Sequence, residues 1–248
     1  MSDIDRDAVI GEGNRFGAHV VIGPDVRIGE NNAFGDFVSI RGRVAIGDNN
    51  RFSSGCVIGG VSNAALRERP SLADDAGAIH IGNENLFGEF VTVHAPSARR
   101  TTVANRVNVG AHAHVAHDAV VESGAIIAVH AVLGGYVRVL QHANVGLGAR
   151  IHPRLIIGQY ALAGMGAILL HHVHPGAIVV GSPARYLKPN LIGMRRGGLS
   201  ELTQRSLCSA LAGRGGGEDK DAALILERFF EVHGTGDFIR EKAILPTL

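Results

Sequence analysis

His117 and Asp118 stand side by side in the segment His114-Val115-Ala116-His117-Asp118, and Gly135 and Tyr136 follow them at an interval of eighteen residues. A neutral imidazole can take a proton from a hydroxyl or an amine near physiological pH. An adjoining carboxylate can orient that ring and stabilise its charged form. A glycine with no side chain in front of its N–H can donate to a developing oxyanion. Together these are a base, its orienter and an oxyanion donor, provided the fold brings positions eighteen apart into contact.

An apolar residue at every sixth position supplies such a fold. The series runs Ile10, Phe16, Ile22 and onward to Ile58, resumes as Ile81, Phe87 and Val93, then holds phase over twelve hexads from Val103 to Leu169. In a strand, positions i and i−2 face the same way. The large residue at i and a smaller one at i−2, such as Val20, Val38, Cys56, Val91 or Ala113, therefore both point inward. Glycine often follows at i+1, as at Gly11, Gly17, Gly23, Gly29, Gly35 and Gly47, where the chain is expected to turn a corner with unusual backbone angles. Three hexads close a triangular coil of eighteen residues, and coils stack about 4.8 Å apart. The expected fold class is an all-β solenoid, a parallel β-helix of hexapeptide repeats. An ordinary sandwich would not keep this phase.

Stacking converts spacing into proximity once two interruptions are subtracted. There are 17 extra residues between Ile58 and Ile81, and four between Val93 and Val103. With that correction Ile22, Ile40, Ile58, Val93, Val115, Leu133, Ile151 and Leu169 form one inward column, and both loops leave at the same corner. Insertions in solenoids tend to gather on the binding side. The corner after this column carries His94, His117 with Asp118, Gly135 with Tyr136, His152, and finally His171 and His172. His114 points outward from the strand leading into His117 and can join the site. His112 and His130 stack on a second corner and His142 lies on a third, so these are assigned to solvated or subunit-interface positions.

The rest of the chain bounds the possibilities. A formal charge of +1 gives no basic field for nucleic acid. The start, MSDIDRDAVIG, shows no basic-then-apolar leader, and no run of about 18 apolar residues exists to span a membrane. Two distant cysteines, Cys56 and Cys208, indicate a reduced, cytoplasmic protein. The hexad pattern fades after Leu169, and 171–189 is expected to be a closing coil and exit. Helical periodicity follows: 199–213 with Ser200 as N-cap, 218–234 ending at Gly234, a GRGGG turn between them, and a last short helix over 236–244. The expected organisation is a β-helix domain over 1–186, with loops at about 60–78 and 95–102, and a small α-helical C-terminal domain over 187–248.

The stretch 110–139, with its HVAHD motif at 114–118, resembles the UDP-N-acetylglucosamine O-acyltransferase family of lipid A biosynthesis. A VTVH stretch at 91–94 after the first loop and the segment NLIGMRRGGLS at 190–200 are similar to further family elements. The resemblance implies a left-handed β-helix, a homotrimer, and active sites in clefts between subunits. It implies His117 as general base, Asp118 as its assistant and Gly135 N–H as oxyanion donor. The acyl donor would be a fatty acyl group on acyl carrier protein, with no tightly bound cofactor and no metal. His94, His114, Tyr136, His152, Met165, Arg195 and Arg196 would bind substrate, and Met165 falls where the family sets acyl-chain length. A bulky residue there implies a medium rather than a long chain.

Departures from the family pattern lie on the acceptor side. A Gln-Asp-x-Lys element of the first loop is replaced by SNAALRER (62–69), where Arg67 or Arg69 supplies a cation. An Arg after the VTVH histidine is Ala95, and a His one coil above the catalytic pair is Tyr136. An acidic position in the C-terminal segment is Ile192, and another Arg is Gly197. The reaction is thus legible and the acceptor is not: UDP-N-acetylglucosamine or a related small acceptor, acylated on a hydroxyl or an amine. The ending VVGSPARYLKP (179–189) is common in acetyltransferases that use coenzyme A, which leaves the donor open between coenzyme A and acyl carrier protein. Two other classes remain. One is a γ-class carbonic anhydrase-like zinc hydrase using His112, His117 and His130. The other is a trimeric scaffold without chemistry.

Overall fold

The computed structural model of the protein describes residues 2–61, 78–215 and 219–234. Three sheets, parallel but for the last strand of one, wrap one elongated core. Face A has nine strands, from Asp3–Ile4 to Ile168–Leu169; face B has eight, from Val9–Ile10 to Ile156–Ile157; face C has ten, from Arg15–Phe16 to Ala184–Pro189. Most strands are two or three residues long and gain their order from the coils above and below. The chain visits A, B and C in turn, so neighbours within a face are one coil apart in sequence.

The hexad series sits where the phase places it. On face A the register pairs Ile22 with Ile40, Ile40 with Ile58, Ile58 with Val93, Val93 with Val115, Val115 with Leu133, and Leu133 with Ile151. That is the column obtained after subtracting 17 and four residues. Beyond the first coil both i and i−2 positions are buried, including Val38, Cys56, Val91, Ala113 and Ala131, whereas Ala8, Ile10 and Phe16 at the open end are only partly covered. Burial pushes the Cys56 thiol up to about 12, which keeps it an inert core group.

Two interior stacks fill the first coils. Phe16, Phe34, Phe52 and Phe87 lie nearly parallel, with successive centroids 5.1, 5.0 and 4.5 Å apart. Beside them runs a ladder of inward asparagines. Asn32 Nδ2 donates to Asn14 Oδ1 (3.0 Å) and Gly47 O (2.9 Å), and Asn50 Nδ2 repeats the pattern toward Asn32 Oδ1 (3.0 Å) and Gly82 O (2.9 Å). Asn85 N–H then donates to Asn50 Oδ1 at 2.9 Å, and Val107 N–H to Asn85 Oδ1 at 2.7 Å. The ladder stops at Val107, and among the described residues Asn85 Nδ2 is left buried without a partner.

The glycine expectation needs correction. Positive φ occurs at i+3 of the hexads, as at His19, Asn31, Phe37, Asp118, Tyr136 and Arg154, and not at Gly11, Gly17, Gly23, Gly29, Gly35 or Gly47; Gly59, where the first loop leaves, is an i+1 glycine that does have it. Most of these i+1 glycines are needed because the next coil is too close, Gly23 being the one with room to spare. A Cβ on Gly11 would lie 2.7 Å from Gly29 O, and one on Gly35 2.7 Å from Ser54 N.

The last coil is closed by an antiparallel hairpin, Ala177–Gly181 with Ala184–Pro189, which the six-residue period alone does not announce. Three helices follow among the described residues: α1 (Leu191–Arg196), α2 (Glu201–Leu211) and α3 (Lys220–Gly234). Ser200 caps α2, its Oγ accepting from Thr203 N–H, as anticipated, whereas α1 with its Asn190 cap was not. Ala222, Ile225, Phe229 and Val232 make the apolar stripe of α3, and Phe229 and Val232 pack on Leu140 and Ile156 of the solenoid. Arg228 of α3 also meets Glu122 at 3.1 Å. The helix expected over 236–244 lies outside the described residues. No helix among the described residues is long and apolar enough to cross a membrane.

Replacing Asn50 by Ala removes the acceptor of Asn85 N–H inside the core. Leaving a buried donor unmade costs about 1–3 kcal/mol, so Asn50→Ala is expected to lower stability by that amount in urea or thermal unfolding.

Candidate active site

The strand His114–Val115 turns Val115 inward and delivers Ala116, His117 and Asp118 onto the corner between faces A and B. Asp118 occupies the left-handed region with φ 60°, a conformation that Asp tolerates better than most residues. Its own N–H donates to Thr101 Oγ1 at 2.8 Å. Because Val115 pairs with Leu133, Gly135 falls directly beside His117. A Cβ on Gly135 would stand 2.7 Å from both Cε1 and Nε2 of His117, so only glycine leaves this space open. Gly135 has no positive φ, and the requirement is for room rather than for backbone freedom.

The four-residue insertion after Val93 folds back over this corner. The Asp118 carboxylate, with its side chain fully buried, gathers the loop's donors. Oδ1 accepts from the N–H groups of Ala98 (3.1 Å) and Arg99 (2.6 Å). Oδ2 accepts from Ser97 N–H (2.9 Å), Ser97 O–H (2.7 Å) and His117 Nδ1 (2.9 Å). Burial by itself opposes ionisation of Asp118. The hydrogen bonds from His117, from the Ser97 side chain and from the Ser97 and Arg99 backbones outweigh it and hold the carboxyl below the usual carboxylate range. An ionised Asp118 can only accept, so this network assigns the His117 proton to Nδ1 and the lone pair to Nε2, on the Gly135 side.

His94 and His114 flank the pair. His114 Nδ1 lies 2.7 Å from Thr92 Oγ1, and its ring meets that of His94 edge-on at 4.5 Å. Burial first, then the like charges that His94 and His117 would carry, push His114 down to about 4. His94 is lowered by the same causes, burial and His117. Both rings are therefore neutral near pH 7 and offer hydrogen bonds without charge. Tyr136 completes the group, with its hydroxyl 3.2 Å from Ser97 Oγ and its ring edge-on to His117 at 5.4 Å. The Arg154 guanidinium sits 4.2 Å over the Tyr136 ring.

Other sequence-derived positions are not gathered here within one chain. His152 is exposed two coils from His117, with Nδ1 3.0 Å from Pro153 O. Met165 projects, 76% exposed, at the corner between faces C and A. Arg195 and Arg196 are exposed in the last turn of α1, which docks near Tyr160 at the corner between faces B and C. His172 is buried and accepts from Ile156 N–H at 3.0 Å. His112 stacks between Phe90 and His130, at 5.1 and 4.9 Å, on the corner between C and A and away from His117. His142 stacks on Tyr160 at the third corner. The hydrase ligand set is thus dispersed in one chain, and no group of three His, Cys, Asp or Glu side chains among the described residues could hold a metal ion. Arg67 and Arg69 lie outside the described residues.

Ser97 and Thr101 went unnoticed in the sequence. The available signal was the loop itself, which leaves at the corner that carries His117. Its hydroxyls have no motif of their own.

A model described as bacterial transferase hexapeptide (six repeats) matches residues 7–42 and 25–60. An acyl-[acyl-carrier-protein]–UDP-N-acetylglucosamine O-acyltransferase from Synechocystis sp. is 35% identical over 124 residues, 49% of this chain and 45% of that protein. One from Pseudomonas putida is 34% identical over 124 residues, covering 49% and 48%. Over about half of its length the chain is thus similar to UDP-N-acetylglucosamine O-acyltransferases. At the sequence level the match spans about half the length of these curated relatives. The fold agreement is broader: LpxA from Acinetobacter baumannii is 27% identical with a TM-score of 0.78, over 93% of this chain and 90% of that one. LpxA from Bacteroides fragilis, a UDP-N-acetylglucosamine acyltransferase, is 26% identical with a TM-score of 0.66, over 99% and 98%.

The lowered pKa of Asp118 gives a pH test. A carboxylate whose folded pKa lies below its unfolded value of about 3.9 adds stability that is fully present above that value and is lost as pH falls through the folded pKa. Asp118→Asn lacks this contribution. Its deficit relative to wild type is expected to be constant between about pH 7 and pH 5 and to shrink below about pH 4, as read by urea unfolding at each pH.

Proposed function

We propose that the chain is an acyltransferase that moves an acyl group from a thioester to a hydroxyl or amine of UDP-N-acetylglucosamine or a related small acceptor. The observation that carries this reading is the His117 ring, tied at Nδ1 to buried Asp118 while Nε2 faces the space beside Gly135. The acceptor O–H or N–H gives its proton to Nε2 as its heteroatom attacks the thioester carbonyl carbon. The charge that develops on the carbonyl oxygen is met by Gly135 N–H. Collapse breaks the carbon–sulfur bond, and the departing thiolate takes the proton back from Nε2. Asp118 balances the imidazolium between these two steps.

His94, His114 and Tyr136 are assigned to the bound substrates, the two neutral imidazoles supplying hydrogen bonds. The donor is an acyl-acyl carrier protein, as named for the relatives, with acyl-coenzyme A as the second donor to test. No tightly bound cofactor enters the mechanism. The solenoid (1–186) is read as left-handed and 187–248 as a helical domain. The protein is read as a cytoplasmic homotrimer. Exposed apolar side chains on faces A and C and their shared corner support the trimer, among them Val57, Ile126, Val129, Leu147 and Ile168. Met165 stands on the same surface, so a neighbouring subunit would bring it, His152, Arg195 and Arg196 to a shared cleft.

A mass-spectrometric screen of acyl-carrier-protein and coenzyme A thioesters against nucleotide sugars and small amines identifies the pair. With that pair, His117→Ala is expected to lower turnover about 10²- to 10⁴-fold, as for loss of a general base, with little change in substrate affinity. Near-normal turnover would remove His117 from the role.

Chain-length selection is tested separately. Met165→Gly is expected to shift the preferred acyl chain of the same reaction to greater length, scored by competition among thioesters. An unchanged preference would make Met165 a packing residue.

A further inference from the structure

One hydroxyl beside His117 has no part in the chemistry described so far. Ser97 Oγ lies 2.7 Å from Asp118 Oδ2, 3.1 Å from His117 Nδ1 and 3.2 Å from the Tyr136 hydroxyl. A serine hydroxyl has one proton and two lone pairs. Asp118 is ionised and can only accept, so the Ser97 proton goes to Oδ2. Ser97 Oγ then has only lone pairs to offer Nδ1 and the phenol, and Tyr136 O–H donates into one of them. Nδ1 therefore faces two oxygens, Asp118 Oδ2 at 2.9 Å and Ser97 Oγ at 3.1 Å, neither of which can donate to it.

We propose that Ser97 is a positioning residue that locks His117 in the tautomer with the proton on Nδ1, leaving Nε2 as the only basic nitrogen. Asp118 anchors Ser97 twice, through N–H and O–H, so the proton of Ser97 cannot turn toward the ring. Tyr136 closes the set from behind, and its ring is held in turn under the Arg154 guanidinium. Ser97 is not an alternative nucleophile. Its hydroxyl approaches the Nδ1 edge, which Asp118 already occupies, and lies across the ring from the nitrogen that accepts the proton. The four-residue insertion thereby acts on the base itself, through the Ser97 side chain.

The inference rests on His117 acting as the base, but its test has an arm that needs no substrate. Nitrogen-15 NMR of the full-length protein reports imidazole tautomers, with the His117→Ala spectrum identifying the signals of His117. Wild type is expected to show Nδ1 protonated and Nε2 bare at pH 8. Ser97→Ala is expected to populate both tautomers and, with the identified substrates, to lose roughly tenfold in kcat with KM unchanged, the effect of about one hydrogen bond. Ser97→Thr keeps the hydroxyl and is expected to restore both the spectrum and kcat. A Ser97→Ala protein whose His117 spectrum matches wild type overturns the proposal, whatever its activity. If wild type transfers no acyl group from any thioester offered, the functional reading fails and the spectra alone decide the role of Ser97.

Discussion

Every strand in this molecule is too short to stand alone, and what orders it is the hydrogen bonding of each coil to the coil on either side. That ladder works only in register. A slip of one residue would turn the apolar positions outward and the polar ones into the core. In-register stacking therefore fixes the interior, and the same constraint decides which corner residues meet. Gly135 is beside His117 because Val115 is paired with Leu133. The site is a by-product of the register, in the sense that no separate element has to be folded to assemble its centre.

The corner adds a second layer that register does not supply. A solenoid corner is open to water, where a carboxylate would be solvated and an imidazole free to choose its tautomer. The insertion after Val93 changes this by lowering three backbone N–H groups and a hydroxyl onto Asp118. Asp118 consequently has two partners of unlike character, a loop that it folds and a ring that it orients. Loss of its charge would act on both together. The neutral His94 and His114 fit the same scheme, because burial and the neighbouring rings both disfavour charge on them.

How far the sequence reached follows from where each property resides. The column Ile22 to Leu169, the two insertion lengths and the pairing of His117 with Gly135 were legible, because each depends only on side-chain type and count. The helices α2 and α3 were legible from their periodicity and from Ser200. The asparagine ladder was not, since Asn32, Asn50 and Asn85 look like any other small inward residue until their amides are seen to join. The left-handed backbone at i+3 was hidden for a related reason: the residues there are as different as His19, Phe37, Asp118 and Arg154. Ser97 was illegible because a loop residue takes its meaning from what it touches. Met165, Arg195 and Arg196 entered through the family resemblance, and one chain alone leaves them on corners away from His117, while His152, read from the stacking, lies two coils along the same corner.

The backbone at Asp118 carries a consequence for how this position can vary. With φ at 60°, it accepts aspartate, asparagine or glycine at little steric cost and resists branched side chains. The same angle is met elsewhere in the molecule by His19, Phe37, Glu84 and Arg154 and, among the described residues, by no β-branched one. Folding therefore removes the β-branched side chains from this position, and the donors gathered around it make the rest of the choice. The corner sets what cannot stand there, and its neighbours set what does.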